Sequence, residues 1–573
     1  MTSTEDTTEP RRIVIVGGVA GGMSAAARAR RLDESAQITV LEQSEYVSFA
    51  NCGLPYHLSG EIEQRDALLL HTPGSLAAAL ALDVRTGSRV TAIDRAARSV
   101  TVASGSETYT LPYDALLLST GAVAVRPPID GLDHPVVHSL RTIPDLDALT
   151  ARVDRVLARA EPGTPPRAVV VGAGFIGLEA VEALVARGLH VDLVELADHV
   201  LPPLDAELAP LLADELRAHG VGLHLGVSAT SVTRIDDGTD DDPVEVTLSD
   251  GTTVAADVVV VNVGVRPASD LARAAGLDLG ASGAIRVDAD QRTSDENVWA
   301  VGDAVEVLSA VTGAAGPVPL AGPANRQGRR AADSMLGRRT TPQASVLGTA
   351  IVRVFGLTAA VTGASQASLA RAEIEHEVVR IHPGHHAGYF PGAEQVHVVA
   401  SFARDGRLLG AQAVGRDGVD KRIDVLATAL RAGMTADDLA ELELAYAPPY
   451  GSAKDPVNML GFVAQNVLDG TMPQWHATEL DTVSAQTLVL DVRSAGEFEQ
   501  GHLEGALNVP HTELRTRVEE VRAAAAGRGV SVHCASGVRS HIATRVLVAA
   551  GIDARNLSGG WLTLTAVHPH LAR

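Results

Sequence analysis

Cysteine is nearly absent, with two residues in 573. A disulfide framework is thereby excluded, and the two thiols that remain both fall inside motifs that make chemical use of sulfur. Aromatic residues make up only 3% of the chain, so its cores must be built from Val, Leu and Ala. Basic residues are in deficit, 47 Lys plus Arg against 70 Asp plus Glu, for a net charge of −23. This balance argues against nucleic acid or an anionic membrane as partner, yet leaves room for basic pockets that hold phosphorylated cofactors. No apolar run of about 18 residues occurs, so no segment is expected to span a bilayer. Met1 to Arg12 is polar and mixed in charge, without the apolar stretch of an export signal, and reads as a short disordered tail. Two lone cysteines without an export signal point to a reducing cytoplasm.

What is present is glycine, 54 residues of it, and short apolar β-branched runs that deliver glycines into turns. Arg12-Ile13-Val14-Ile15-Val16 reads as a buried parallel strand. Gly17-Gly18-Val19-Ala20-Gly21-Gly22 follows, then an Ala/Arg helix and the strand Gln37 to Leu41, closed by Glu42. The plan recurs with strand Ala168 to Val171, the turn Gly172-Ala173-Gly174-Phe175-Ile176-Gly177, a helix, and strand His190 to Val194 closed by Glu195. Each is a βαβ unit with an acid about 20 residues past its glycine turn. Asp236 to Pro243 is expected to be an acidic hairpin tip, and residues 345 to 465 mix strands and helices in a further domain.

In Gly172-x-Gly174-x-x-Gly177 the glycines let the backbone approach a pyrophosphate, whose charge a helix N-terminus favours. A carboxylate at Glu195 accepts bonds from a ribose diol and repels a 2′-phosphate. No Arg or Lys stands in Leu196 to His199, so NADH is favoured over NADPH. The first turn keeps Gly17 and Gly22 but has Val19 in place of the middle glycine. Two such turns call for two dinucleotides, FAD and a nicotinamide. An apolar strand that delivers Gly302-Asp303 into a turn supports the pairing.

On these residues the region from Arg12 to about Gln465 resembles the flavoprotein disulfide reductases. The resemblance makes Asp303 the FAD-contacting acid and Glu42 the FAD ribose acid. Ser48-Phe49-Ala50-Asn51-Cys52-Gly53-Leu54-Pro55-Tyr56, Tyr446-Ala447-Pro448-Pro449-Tyr450 with Lys454-Asp455, and His386 to Gly392 resemble the single-cysteine coenzyme A-disulfide reductase branch. Dithiol reductases carry a second cysteine five positions after the first, where this chain has His57. Related NADH peroxidases carry a His in the first turn, where this chain has Ala20. The resemblance implies a mixed-disulfide mechanism at Cys52, with Tyr389 and the partner subunit's Tyr446 supplying a proton to the leaving thiolate. It also places Ser24, Arg28, Arg31, Ser48, Asn51 and Lys454 at a coenzyme A site, and Leu80 where some members hold a coenzyme A-binding lysine. A homodimer is implied, because the family completes each active site with its partner.

The second cysteine lies in Val532-His533-Cys534-Ala535-Ser536-Gly537-Val538-Arg539-Ser540. A tight loop rising toward a helix N-terminus, with Arg539, makes an anion cradle that stabilises a persulfide. Together with Asp491-Val492-Arg493, Gly501-His502-Leu503 and Gly559-Gly560-Trp561, it resembles the rhodanese family. A Cys-x5-Arg phosphatase would need one more loop residue. His382, His385 and His386 form the one histidine cluster, in a Gly/Pro-rich setting that reads as a loop and not as a metal site.

The expected fold is α/β: FAD- and NAD-binding Rossmann-like domains, an α+β dimerisation domain and a C-terminal α/β rhodanese domain. Expected bounds are a tail over 1–11, an FAD domain over 12–145 and 265–340, and an NAD domain over 146–264. A dimerisation domain over 341–468, a linker over 469–480 and a rhodanese domain over 481–573 complete the chain. The expected function is NADH-dependent reduction of coenzyme A persulfide, coenzyme A disulfide or polysulfide at Cys52, with Cys534 handling sulfane sulfur. The rivals are an NADH oxidase or peroxidase using Cys52 as a sulfenic acid, and a docking or sulfur-sensing role for the rhodanese domain.

Overall fold

The computed structural model describes residues 9–235, 242–342 and 345–572. The first eight residues of the expected tail, and the acidic tip expected from Asp236 apart from its last two residues, lie outside the described residues. The chain divides into two compact units, Met1–Leu196 with Gly220–Gly348, and Ala197–His219 with Thr349–Arg573.

The first unit holds two parallel five-stranded sheets. In one, Asp83–Arg85, Gln37–Leu41, Arg12–Val16, Ala115–Leu118 and Val298–Ala300 lie side by side in that order. Ile13, Ile15, Val40, Leu116 and Leu117 are fully buried, as unbroken apolar strands with a covered layer on each face must be. In the other, Gly222–Leu225, His190–Glu195, Arg167–Val171, Val258–Val261 and Val137–His138 are ordered alike. Each glycine turn follows a strand whose two neighbours connect in opposite directions. That is the switch point where parallel sheets open a crevice for ligands. Helix Ile143–Arg159 starts where Thr142 and Asp145 form a reciprocal capping box, with Pro144 in its first turn.

The second unit has an antiparallel sheet ordered Ala350–Val354, Leu357–Gly363, Leu408–Gly415, Val396–Phe402 and Glu377–Ile381, with helices Val419–Ala432 and Pro456–Leu468. It also has a parallel sheet ordered Gln474–Trp475, Ala554–Leu557, Val530–His533, Leu488–Asp491 and Leu507–Asn508. The expected fold classes are those observed.

Three boundaries differ from expectation. Val137–His138, placed by its sequence position in the first nucleotide domain, pairs with Val259 and Val260 of the second sheet. Residues 197–219, expected within the NAD domain, carry the helix Ala209–Ala218 that connects its paired strands His190–Glu195 and Gly222–Leu225, and they also group with the second unit, where Asp205 N–H donates to Gln412 at 2.6 Å and Glu215 pairs with Arg416 at 2.9 Å. The segment expected as a linker over 469–480 contains the strand Gln474–Trp475. Trp475 is wholly buried against Leu557, Leu564 and Val489, so burial of its indole builds this stretch into the C-terminal core.

A polar network joins the two sheets of the second unit. The Arg380 guanidinium donates to Glu207 at 2.8 Å, to Gln366 at 3.2 Å, to His476 at 3.0 Å and to Ser558 at 3.4 Å. His382 contacts His397 at 2.8 Å and Thr563 at 2.9 Å. Desolvation pushes His382 down to about 3 and His476 to about 4, so both imidazoles are neutral.

Candidate functional site

Both nucleotide turns have the same internal geometry. Gly17 (φ +102°) and Gly172 (φ +103°) turn the chain out of their strands in a conformation that side-chain-bearing residues rarely adopt. A Cβ at Gly22 or Gly177 would lie 1.9 Å from the carbonyl oxygen of the first glycine, so the third glycine of each motif lets helix and turn touch. Glu42 accepts the Gly18 N–H at 2.8 Å, and Glu195 accepts the Ala173 N–H at 2.7 Å. Each strand-end acid is thus pinned to the turn it faces, a contact that spacing alone does not show.

The second turn fits a dinucleotide. Gly174 has ordinary extended dihedrals (φ −75°, ψ −174°) and a Cβ there would meet nothing within 4 Å. Its lack of a side chain serves no packing contact, and the space beside it suits an approaching pyrophosphate. Asn262 Nδ2 is buried without a protein partner, and the Asn262 backbone lies against Gly172. Leu196 is 72% exposed beyond Glu195. The first turn fits a second dinucleotide through the same backbone. Asp303 sits in a short turn after strand Val298–Ala300, with Gly302 (φ +79°) before it and Arg141 at 3.6 Å. Burial pushes the Asp303 carboxyl up, against the pull of Arg141. The pairing with Arg141 has no signal in local sequence.

Cys52 lies in the turn Asn51–Gly53, before helix Leu54–Ser59, whose Leu54 and Leu58 are buried. Its thiol is solvent-reached and donates a long contact to Asn51 Oδ1 at 3.8 Å. The sulfur is nonetheless enclosed enough that desolvation raises it above the ordinary thiol value, with Glu179 and then Asp303 adding to the effect. Glu179 was not anticipated. It comes from helix Phe175–Ala186 and accepts from Tyr56 at 3.3 Å. His57, in the place of a second cysteine, is bonded to the Ile62 carbonyl at 2.6 Å and so closes a turn.

The expected coenzyme A ligands are differently placed. Ser24 is bonded to Asn325 at 2.6 Å, and Arg28 is paired with Asp333 at 2.7 Å. Arg31, Asn51 and Lys454 are exposed, and Ser48 holds a left-handed φ of +49° beside the Cys52 turn. Leu80 packs at the margin of the first core. In the second unit, the Tyr389 and Tyr446 hydroxyls are 3.0 Å apart and both rings are exposed. The hydrogen bond to Tyr446 raises Tyr389. Arg422, 2% exposed, donates to Asp455 at 2.8 Å and to the His385 carbonyl at 2.6 Å. Ala387 N–H donates to Gly451. These contacts tie the loops that carry the two tyrosines to one buried ion pair.

Cys534 ends strand Val530–His533 and is wholly buried. Gly537 (φ +94°) turns the loop into helix Val538–Ala549, Ser540 Oγ donates to the sulfur at 3.2 Å, and Trp561 N–H holds the Cys534 carbonyl at 2.7 Å. Arg539, expected as the cradle's open cation, is instead bidentate to Glu497 at 2.6 and 2.8 Å. Behind the loop, Asp491 pairs with Arg493 at 2.7 Å, and Arg493 stacks over Trp561. His533 is buried and pushed down to about 4 by desolvation. His382 belongs to the polar network described above, and no group of three or more potential metal ligands exists among the described residues. No described helix is long and apolar enough to cross a membrane.

Two switch-point turns, an exposed thiol beside the first, and a second thiol in a loop at a parallel strand's end define a pyridine nucleotide-disulphide oxidoreductase with an appended rhodanese-like domain. The family model of the pyridine nucleotide-disulphide oxidoreductases matches residues 11–327, that of their dimerisation domain 349–456, and the rhodanese-like domain 472–566. The chain belongs to this family. A coenzyme A disulfide reductase of Staphylococcus haemolyticus is 35% identical over 460 residues, 80% of this chain and all of that one. The structure of reduced CoADR-RHD of Bacillus anthracis superposes with a TM-score of 0.93 at 40% identity, over 99% of this chain and 100% of that one. A NAD-dependent persulfide reductase of A. fulgidus gives 0.89 at 36%, over 96% and 99%. The water-forming NADH oxidase of Lactobacillus brevis gives 0.75 at 25%, over 80% and 99%. The resemblance drawn from the sequence, to the coenzyme A-disulfide reductase branch with a rhodanese domain, is borne out.

Proposed function

We propose that this chain is an NADH-dependent flavoprotein that reduces coenzyme A-type persulfides and disulfides, or polysulfide, at Cys52, and that Cys534 takes up or presents sulfane sulfur. The observation that carries the reading is Cys52 itself, a solvent-reached thiol with no second cysteine to pair with, beside a flavin-type turn. Bound FAD supplies the passage of reducing equivalents from NADH to sulfur. Gly17, Gly22, Glu42, Gly302 and Asp303 would hold it, and Gly172, Gly174, Gly177 and Glu195 would hold NADH.

Cys52 as thiolate attacks the outer sulfur of the substrate, and a new S–S bond forms there as the substrate's own S–S bond breaks. The electron pair leaves on a thiolate, to which the partner subunit's Tyr389 or the partner subunit's Tyr446 gives a proton in the homodimer this reading requires, because the two hydroxyls of one subunit lie 3.0 Å apart and reach a site together. Ser24, Arg28, Arg31, Ser48, Asn51 and Lys454 bind the rest of the coenzyme. Arg28 exchanges Asp333 for a phosphate when it does so. A free thiol with this role suits a reducing cytoplasm.

NADH-oxidation rates with coenzyme A persulfide, coenzyme A disulfide, polysulfide and elemental sulfur test the proposal. At least one should exceed the rate with peroxide or oxygen by about 10²-fold or more. The likeness to the Lactobacillus brevis NADH oxidase favours one rival, an oxidase or peroxidase. Faster turnover with peroxide or oxygen than with every sulfur substrate would establish it.

A further inference from the structure

Two arginines stand at the Cys534 loop, and each is matched by a carboxylate. Arg493 is spoken for by buried Asp491 at 2.7 Å. Arg539 is the one cationic side chain within Cys534 to Ser540, and both of its terminal nitrogens are bound by Glu497. Glu497 is itself fixed, because Ser494 N–H and Oγ donate to its Oε2 at 3.0 and 2.8 Å. Arg539 holds the Glu497 carboxyl down at about 2, so it is charged at any working pH. The side chains around the sulfur therefore carry two cations and two anions, with His533 neutral. Arg539 also faces the Cys534 sulfur, so its charge is shared between Glu497 and the thiol, and the loop's backbone N–H groups add the rest of the pull on a negative charge.

We propose that Glu497 sets the donor specificity of the rhodanese-like site. By cancelling Arg539 it makes the site accept sulfur from persulfide-type donors in preference to the sulfonate-bearing dianion thiosulfate. This rests on the reading of Cys534 as a sulfur-accepting thiol. With either donor the Cys534 thiolate attacks the sulfane sulfur and keeps it as a persulfide. With thiosulfate, the bond to the sulfite group breaks and its electron pair leaves as sulfite, so a dianion must be brought against a thiolate. With an organic persulfide, the bond to the thiol sulfur breaks and a single thiolate leaves. The first route needs an uncompensated cation and the second does not. Glu497 acts through Arg539 and is a positioning residue.

The test measures transfer to Cys534 in the full-length flavoprotein without NADH, so that no reduction competes. Thiosulfate and glutathione persulfide are the donors, and mass spectrometry reads the Cys534 persulfide. Wild type should react faster with the persulfide. Glu497→Gln keeps an acceptor for Arg539 but removes the charge, and should raise the thiosulfate rate about 10-fold or more while the persulfide rate moves by less than about 3-fold. A loss of packing lowers both rates and cannot produce a gain. Val538→Lys, at the 58% exposed first residue of helix Val538–Ala549, adds a cation with the ion pair intact and should also raise the thiosulfate rate. The proposal is overturned if thiosulfate is already preferred by wild type, or if neither variant speeds it. Wild type taking sulfur from neither donor would remove the underlying reading of Cys534, and the proposal with it.

Discussion

Gly174→Ala separates nucleotide binding from folding. The backbone there is already extended, so alanine fits without strain, and its Cβ would meet no protein atom within 4 Å. Reduced freedom of the unfolded chain stabilises such a change by about 0.4–1 kcal/mol, while alanine is a poorer helix cap than glycine by an amount of the same order. The two offset, and the melting temperature should move by only a few degrees. Bound FAD should be unaffected, because the residue belongs to the other turn. The added methyl would occupy the space through which a pyrophosphate reaches the helix N-terminus. Displacing the phosphates by about 1 Å should slow flavin reduction by about 10²-fold. Stopped-flow bleaching of the flavin by NADH, with a thermal melt in parallel, measures both. Unchanged reduction would show that the nucleotide does not pass over Gly174. A collapsed melt would show that the open space has a packing role the geometry does not reveal.

Cys52→Ser should retain flavin and its reduction by NADH but lose sulfur-substrate turnover by about 10³-fold, and substantial residual turnover would mean another group attacks. Glu195→Ala with Leu196→Arg should narrow the preference for NADH over NADPH, read as the ratio of flavin-bleaching rates, and an unchanged ratio would refute the role given to Glu195. Glu179→Gln should lower the midpoint of Cys52 alkylation against pH relative to wild type, since a negative charge that raises the thiol value is removed. Acid should loosen the second unit. His476 is held at about 4 against an ordinary 6.5, so its contribution is complete above about 6.5 and falls as pH drops toward 4, on the order of 3 kcal/mol in all. Melting temperatures from pH 7 to 4.5 should show this slope, and His476→Asn should flatten it.

The parallel-sheet halves were legible because apolar strands such as Arg12–Val16 and Val258–Val261 deliver glycines into turns, and both signals are local. The two-residue strands Val137–His138 and Gln474–Trp475 carry no periodicity, and sheet-mates far along the chain decide their pairing. The contacts of residues 197–219 with Gln412 and Arg416 had no local signal, because those partners lie some 200 residues away. At the site, residue types and spacing pointed to Cys52, Cys534 and Glu195, and the family resemblance pointed to the tyrosines. Arg141 beside Asp303, Glu179 near Cys52 and Glu497 on Arg539 are charge pairings made by folding, and nothing in their flanking sequence announces them. Glu497 shows the cost of that gap: from the sequence Arg539 looked like an open anion ligand.

The Arg380 network changes what a domain boundary means in this chain. Arg380 and Glu207 side chains are each about 10% exposed, and Arg380 also reaches His476 and Ser558 across the junction. A chain ended near Gly470 would strip two hydrogen-bond acceptors from a sheltered guanidinium and uncover His382. The rhodanese-like domain and the sheet beside it are thus joined by a shared polar network, and are not beads joined by a string. Any transplant of the domain onto another reductase has to bring Arg380, His382 and Glu207 with it.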